Sequence, residues 1–202
     1  MNPISIFIIL LFSIPSMLYS QDRNESDAQR FFSFGLTKSL YTTPDQGLSF
    51  GDAYVWIPDI EVGMYINKTR LALDYRHYNA SYPIRYLEGD IETREFSLFD
   101  LTYYRLRLLN SSKIDVSLGA GMSLRLLNEL VIAGLIMTSG GWYEIHSDRF
   151  RTISPGAILS ADSRYDLTRQ LFIEASVSYN AYLNSYNIGR LGICVGYYFG
   201  RK

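Results

Sequence analysis

Several residue types that carry chemistry in proteins are scarce in this chain of 202 residues. One cysteine, Cys194, excludes an internal disulfide framework and a zinc site built from several cysteines. Histidine occurs only at His77 and His146. Lysine and arginine number 19 against 20 acidic residues, so the basic surplus typical of nucleic-acid binding is absent. Because metal-ligand spacings and Gly-rich phosphate loops are also missing, we expect no metal and no cofactor.

An apolar run lies at the amino terminus, from Ile4 to Ile14, broken only by Ser5 and Ser13. It is followed by Pro15 and, from Gln21 onward, by a polar stretch. This pattern is typical of a cleavable signal peptide, with the cut expected after Ser20. The run is shorter than the roughly 20 apolar residues of a membrane-spanning helix, and no later segment reaches that length. The predicted organisation is a signal peptide over 1–20, a short periplasmic segment over 21–29 and one domain over 30–202.

The dominant pattern of the mature chain is alternation of apolar and polar residues with period 2, which predicts strands. In Leu171 to Ala181, for example, apolar residues occupy every second position. We predict eight strands, over 30–41, 58–67, 70–80, 92–109, 114–127, 150–165, 171–182 and 187–199. The fourth is the least regular, because Asp100 and Arg105 can share one face only if a bulge separates them.

The connections between these strands differ in length in a regular way. Connections after the second, fourth and sixth strands are short, whereas those over 42–57, 81–91 and 128–149 are long. An up-and-down barrel would therefore carry short turns at one rim and long loops at the other. The chain also has 17 Tyr, 11 Phe and 2 Trp, and many of them fall near strand ends, which predicts an aromatic girdle at each rim.

Alternation alone fits two kinds of barrel with opposite faces. A soluble lipocalin-like barrel points its apolar face inward, whereas an outer-membrane barrel points it outward. Strand length, loop asymmetry and aromatic placement favour the membrane barrel. The fold class is therefore expected to be all-β, an eight-stranded antiparallel up-and-down transmembrane β-barrel.

The signal peptide, the eight alternating segments and the last strand from Leu191 to Phe199 resemble a known family. The chain is similar to the small outer-membrane barrels typified by OmpX and the membrane domain of OmpA, and to short barrels of Bacteroidota-type bacteria. The resemblance implies a bacterial outer-membrane location with both termini in the periplasm. It also implies that Phe199 is the closing aromatic recognised by the outer-membrane assembly machinery.

In the membrane assignment, acidic and basic side chains of nearly equal number point into the lumen. A narrow interior is filled by side chains, and buried charges must pair, so we predict a structural ion-pair network and not an ion path. Arginine suits such pairing because its planar group binds carboxylates in two places, and the chain has 15 Arg but only 4 Lys. The predicted network comprises Glu61, Asp74, Arg76, Asp115, Arg125, Asp162, Arg164, Glu174 and Arg190.

No catalytic site is expected. His146, Ser147 and Asp148 are adjacent in sequence, but a catalytic triad is assembled in space and not along one short stretch. His77 is predicted to lie on the lipid-facing side near the long-loop rim. We therefore expect a protein that is not an enzyme.

An apolar run inside the third long connection needs a separate explanation. It could bind a partner, or it could extend the neighbouring strands as a hairpin with Ser139, Gly140 and Gly141 near its tip. The candidate interaction residues are Leu130, Val131, Ile132, Leu135, Ile136 and Met137.

The function expected from the sequence is a structural or surface-interaction barrel with a closed lumen. A component of a larger envelope or secretion assembly and a soluble lipocalin-like ligand-binding barrel remain alternatives. The expected partners are the lipid bilayer with lipopolysaccharide, the assembly machinery, and a protein bound through the long loops, but no nucleic acid.

Overall fold

The computed structural model describes residues 29–42, 56–66, 69–81, 91–110, 113–137, 140–141, 143–183 and 187–199. The predicted signal peptide and most of the segment over 21–29 lie outside the described residues. Among the described residues there is no helix long and apolar enough to cross a membrane.

Eight antiparallel strands form a single closed barrel, in which each strand pairs with the next and β1 pairs with β8. The predicted all-β barrel is confirmed. The strands are β1 (Gln29–Thr42), β2 (Trp56–Ile66), β3 (Thr69–Ser81), β4 (Ile91–Asn110), β5 (Ile114–Met137), β6 (Tyr143–Asp166), β7 (Leu171–Tyr182) and β8 (Asn187–Phe199).

The prediction of a long connection over 128–149 is wrong. Strand β5 continues to Met137 and β6 begins at Tyr143, so the apolar run belongs to a hairpin and not to a loop. Its residues pair across the hairpin, with Val131 opposite Asp148 and Met137 opposite Tyr143. Because β7 begins its pairing with β6 only at Gly156, the hairpin extends beyond the closed part of the barrel. The predicted strand extension is confirmed, and binding of a partner by this run stays a prediction.

A bulge in β4 resolves the irregularity of that segment. The register between β4 and β5 shifts between Tyr104 and Leu106, and Arg105 lies at the shift. Asp100, before the bulge, is fully buried, whereas Arg105 is exposed. The two charged residues therefore do not share the lumen.

The two faces of the sheet have opposite character. Side chains that alternate outward are apolar and exposed, including Met122 (67 %), Ile153 (68 %) and Leu159 (63 %). Side chains that alternate inward are buried and largely polar or charged. This distribution is the reverse of a soluble barrel, and it matches the outward apolar band of a transmembrane barrel.

Candidate functional site: the lumen

Two apolar clusters of buried, lumen-facing side chains lie one near each rim. The short-turn plug consists of Phe31, Tyr65, Ala72, Tyr104, Phe172 and Tyr198. The long-loop plug consists of Ile57, Tyr78, Phe96, Leu98, Tyr182 and Ile188. Two networks of charged lumen residues lie between these plugs, whereas the buried Arg94 lies nearer the long-loop rim than Phe96.

The plugs correct the prediction of two aromatic girdles. Aromatic residues do gather near both rims, but they alternate with the strand, so only every second ring faces outward. At the short-turn rim Phe32, Tyr103, Tyr165, Tyr197 and Phe199 face outward, whereas the five rings of the short-turn plug face the lumen. At the long-loop rim Trp56 and Phe150 are exposed, whereas Tyr78, Phe96 and Tyr182 are buried. The side chains of Tyr41, Tyr54, Tyr82, Trp142 and Tyr143 lie outside the described residues.

A short-turn network of charges lies next to the short-turn plug. Glu174 Oε2 accepts hydrogen bonds from Arg70 Nη1 and Arg164 Nε, each at 2.7 Å. Arg70 also pairs with Asp162. Glu61 Oε2 accepts a hydrogen bond from Ser33 Oγ at 3.0 Å, and Glu61 Oε1 lies 3.9 Å from Arg164 Nη2.

Aromatic rings of the short-turn plug support the two guanidinium groups of this network. Arg70 Cζ lies 3.7 Å from the centre of the Tyr104 ring, and Arg164 Cζ lies 3.9 Å from the centre of the Phe172 ring. Arg164 Nη1 also donates to the Tyr65 hydroxyl at 2.9 Å. Cation–π attraction is strongest when both groups are removed from water, as they are here.

A long-loop network lies between the short-turn network and the long-loop plug, and Asp100 is its centre. Asp100 Oδ2 accepts hydrogen bonds from Arg76 Nη1 at 2.8 Å and Arg190 Nη2 at 2.6 Å. Asp100 Oδ1 accepts one from Asn180 Nδ2 at 2.8 Å. Arg76 Nη2 also contacts Asp59 Oδ2 at 2.8 Å and Asp74 Oδ1 at 3.6 Å.

Two predicted lumen residues lie toward the edges of these networks. Arg125 is buried, and its Cζ lies 5.0 Å from the centre of the Tyr182 ring. Asp115 is half-buried and stands opposite Arg164 in the register of β5 and β6. The structure thus places seven predicted residues in the two networks, Arg125 beside the long-loop plug and Asp115 near the short-turn end.

Sequence reasoning missed three residues that the networks require: Asp59, Arg70 and Asp100. Asp59 and Arg70 have the same strand parity as Glu61 and Asp74, so continuing the alternation by two or four residues would have found them. The alternation does not decide which face of β4 Asp100 lies on, because the position of the β4 bulge is not visible in the sequence. A further pair, Arg94 Nε to Glu129 Oε1 at 2.5 Å, was also missed.

The buried charges among the described residues balance. Six carboxylates and six arginines are buried, which allows the interior to be neutral without a mobile ion. A void between the two networks measures about 20 Å³, which is room for about one water molecule. In the described residues, two networks of paired charges thus lie between two apolar plugs.

The arrangement offers a poor metal site. Glu61, Glu174 and Cys194 place possible ligand atoms within 4.8 Å of one another. However, Glu174 Oε2 already contacts both Arg70 and Arg164. Two guanidinium groups at this distance oppose the binding of a further cation by Coulomb repulsion.

The two histidines do not form a hydrolytic site in the described part of the chain. His146 Nε2 lies 3.7 Å from Asp148 Oδ1, and both side chains are exposed. Ser147 lies between them on an extended strand, so its side chain points to the opposite face. His77 is exposed on the outer face of β3, and its Nδ1 lies 3.1 Å from Ser97 Oγ.

The candidate interaction residues lie on the extended hairpin. Ile132 is buried, and Leu130 and Val131 are half-buried. Leu135, Ile136 and Met137 belong to β5, but their side chains lie outside the described set. Phe199 is the last residue of β8 and faces outward, 52 % exposed.

These features define a class of fold: a small closed barrel with an apolar exterior and a packed, charged interior. The sequence matches no protein-family model and no curated protein. Solved structures with the same fold include the attachment invasion locus protein Ail of Yersinia pestis, with a TM-score of 0.57, 11 % identity and coverage of 85 % of this chain and 99 % of that one. Neisserial surface protein A has a TM-score of 0.52, 19 % identity and coverage of 85 % and 95 %.

A major outer membrane protein from Thermus thermophilus is also similar, with a TM-score of 0.58, 9 % identity and coverage of 86 % and 100 %. All three are small outer-membrane proteins that this chain matches over nearly their whole length. The fold of the chain is therefore that of a small eight-stranded outer-membrane β-barrel.

Proposed function

We propose that this protein is an outer-membrane β-barrel with a closed lumen, which acts as a structural or surface-interaction protein and neither as a pore nor as an enzyme. The observation that carries the proposal is the lumen. Two networks of paired buried charges lie between two apolar plugs and leave a void of about 20 Å³. A path for ions would require this paired core to open.

The outer face supports the membrane location. Large apolar side chains are exposed on the outer face, for example Phe34 (53 %) on β1, Val177 (54 %) on β7 and Ile193 (54 %) on β8. A soluble ligand-binding barrel would need these side chains to point inward, where the structure has charged ones. Such an apolar outer surface is suited to contact with lipid tails.

The orientation follows from loop length in barrels of this kind, which have short periplasmic turns and longer extracellular loops. The start of β1 and the end of β8 lie at the short-turn rim, so both termini would be periplasmic. The bilayer and lipopolysaccharide would then surround the barrel, and the outer-membrane assembly machinery would recognise the last strand through Phe199. The extended hairpin of β5 and β6 would face the cell exterior.

Two measurements test this proposal. Membrane fractionation combined with a gel-shift assay of heated and unheated samples should place the protein in the outer membrane as a heat-modifiable barrel. In planar bilayers, the purified protein should show no stable conductance. Recovery as a soluble periplasmic protein would refute the membrane location, and steady ion current would refute the closed lumen.

A second candidate function is supported by the hairpin. Strands β5 and β6 have 24 residues each, whereas β7 has 12. The hairpin of β5 and β6 therefore projects well beyond the adjacent strand β7. Such a projection could join a larger envelope assembly. Replacing residues 132–147 with a short turn between Val131 and Asp148, which are paired, would remove the projection while keeping the barrel. Unchanged surface adhesion and unchanged co-purifying proteins would count against this second function.

A further inference from the structure

The outer face of the barrel has a recessed region near the short-turn rim. An apolar groove of about 270 Å³ crosses β1 to β4 there. The aliphatic side chains at the bottom of the groove point outward but are only half exposed. Met122 and Leu159, elsewhere on the outer face, are more exposed. The groove is lined by Phe32, Val62, Met64, Leu71, Leu73 and Leu101, among others.

The register explains the recess. Phe32 pairs with Val62, Val62 with Leu73 and Leu73 with Leu101, so these side chains form one row across four strands. The aliphatic members of the row are shorter than Phe32, which rises at one end of it. Phe199 of β8, which is 52 % exposed, lies on the same side as Phe32. Aliphatic residues thus form a floor, and aromatic rings form a wall.

One charged residue, Arg30, lines this groove. It is exposed, and it pairs with Met64 on one side and Phe199 on the other, close to the short-turn end of the sheet. A guanidinium group binds phosphate through two parallel hydrogen bonds. The groove therefore joins an apolar channel to a single cationic group at its mouth.

We propose that this groove is a binding site for one phospholipid with an anionic headgroup, with an acyl chain along the groove and the phosphate at Arg30. The proposal rests on the proposed membrane function. An occupant of the groove must be apolar along most of its length, because the lining offers almost no polar partner. It must also carry negative charge at one end, to match Arg30.

A phospholipid fits these requirements better than lipopolysaccharide. In the proposed orientation the short-turn rim lies in the periplasmic leaflet, where phospholipids are found. At the same rim, Phe32, Tyr103, Tyr197 and Phe199 are exposed on the outer face, and aromatic rings favour the level of the headgroups. Arg30 would then lie at the depth of the phosphate.

The test uses the folded protein in nanodiscs that contain equal amounts of phosphatidylglycerol and phosphatidylcholine. Native mass spectrometry after release should show one retained lipid, predominantly phosphatidylglycerol. The variant Arg30→Gln should lower the retained ratio of phosphatidylglycerol to phosphatidylcholine about fivefold, since one arginine near a membrane surface has an effect of that size. Arg169→Gln, which changes an exposed arginine in the turn between β6 and β7, is the matched control and should leave the ratio unchanged.

A second variant tests the groove separately from the charge. Leu73→Trp should fill the recess and reduce retention of both lipids, whereas Leu159→Trp, on the outer face of β6, should not. The proposal is overturned if folded protein retains no lipid, if retention is independent of Arg30 and Leu73, or if added lipopolysaccharide displaces the phospholipid. Failure of the unmodified protein to insert into bilayers at all would instead refute the membrane function.

Discussion

The short-turn network and the long-loop network each centre on one carboxylate that accepts hydrogen bonds from two arginines, but their surroundings differ. Around Glu174, the arginines are supported by other carboxylates and by the faces of aromatic rings. Around Asp100, Arg76 retains Asp59 and Asp74, whereas Arg190 is supported by the neutral groups of Ser178 and Asn180.

This difference shows two ways to stabilise a charge away from water. The first network offers alternative anionic partners and π-electron density, so the loss of one contact leaves others. In the second network, Arg190 depends on a single carboxylate together with dipoles in fixed positions. We therefore expect Asp100 to be the more sensitive of the two centres.

The largest expected effect is on Asp100 itself. Asp100→Ala leaves Arg190 without a carboxylate and removes one of the two acceptors of Asn180 Nδ2, the other being Ser123 Oγ. Breaking such a buried pair costs about 3–5 kcal/mol. Urea titration of the protein folded in phospholipid vesicles measures the free energy of unfolding. Glu174→Ala should cost less, because Arg70 keeps Asp162. Glu95→Ala, an exposed position on the same strand as Asp100, is the control; equal effects for Asp100 and Glu174 would remove the distinction.

A smaller effect is expected from crowding the short-turn plug. A methyl group at Gly196 would overlap the Phe172 ring, which also contacts Arg164. Gly196→Ala should therefore destabilise the barrel by about 1–3 kcal/mol, the usual cost of overpacking. Gly134→Ala has open space around it and is the matched control. The same urea titration applies, and equal stability of the two variants would show that the plug can adjust.

The support from aromatic faces can be tested by Phe172→Leu. This change keeps an apolar side chain but removes the ring under Arg164, and we expect a loss of about 2 kcal/mol. Leu171→Val, at the neighbouring outward position on β7, controls for a change in this strand. A loss no larger than that of the control would argue that the ring acts only by its volume.

The smallest effect is expected at the other plug, from Tyr182→Phe. The change removes only the hydroxyl group, which lies 2.9 Å from Ser123 Oγ, and a loss of about 1 kcal/mol is typical of one such hydrogen bond. Thermal unfolding followed by the gel-shift assay would detect it. Ser123→Ala removes this hydrogen bond and also the one that Ser123 Oγ accepts from Asn180 Nδ2. The double variant should therefore lose no more than Ser123→Ala alone.

The sequence predicted the fold well because strand alternation is a local property. All eight segments correspond to strands, and the residues from Leu171 to Tyr182 could be assigned face by face. The contacts inside the lumen are harder to predict from the sequence. Alternation indicates which residues point inward, but which arginine meets which carboxylate depends on the register across distant strands, as with Arg70 and Glu174.

The errors have physical causes. The run from Leu130 to Met137 is predicted to be a connection because its apolar residues do not alternate, yet pairing with β6 makes it a strand. The aromatic residues near the rims are predicted to face outward, but their abundance and their position along a strand do not reveal direction. Phe31 and Tyr198 face the lumen because the strands alternate through the rim without a break.

The pairing of β1 with β8 has a consequence for the order of assembly. Every other pair of adjacent strands is a hairpin, whose contacts are near in sequence, but this seam joins the two ends of the domain through thirteen residue pairs. Contacts so far apart in sequence form late, because a long loop must be closed before they can be made. Arg190 lies in β8, so its bond to Asp100 in β4 forms only when the last strand, which also makes the seam with β1, is in place. Completion of the long-loop network and closure of the seam are thus coupled events, and a kinetic probe at Arg190 would report the final step of folding.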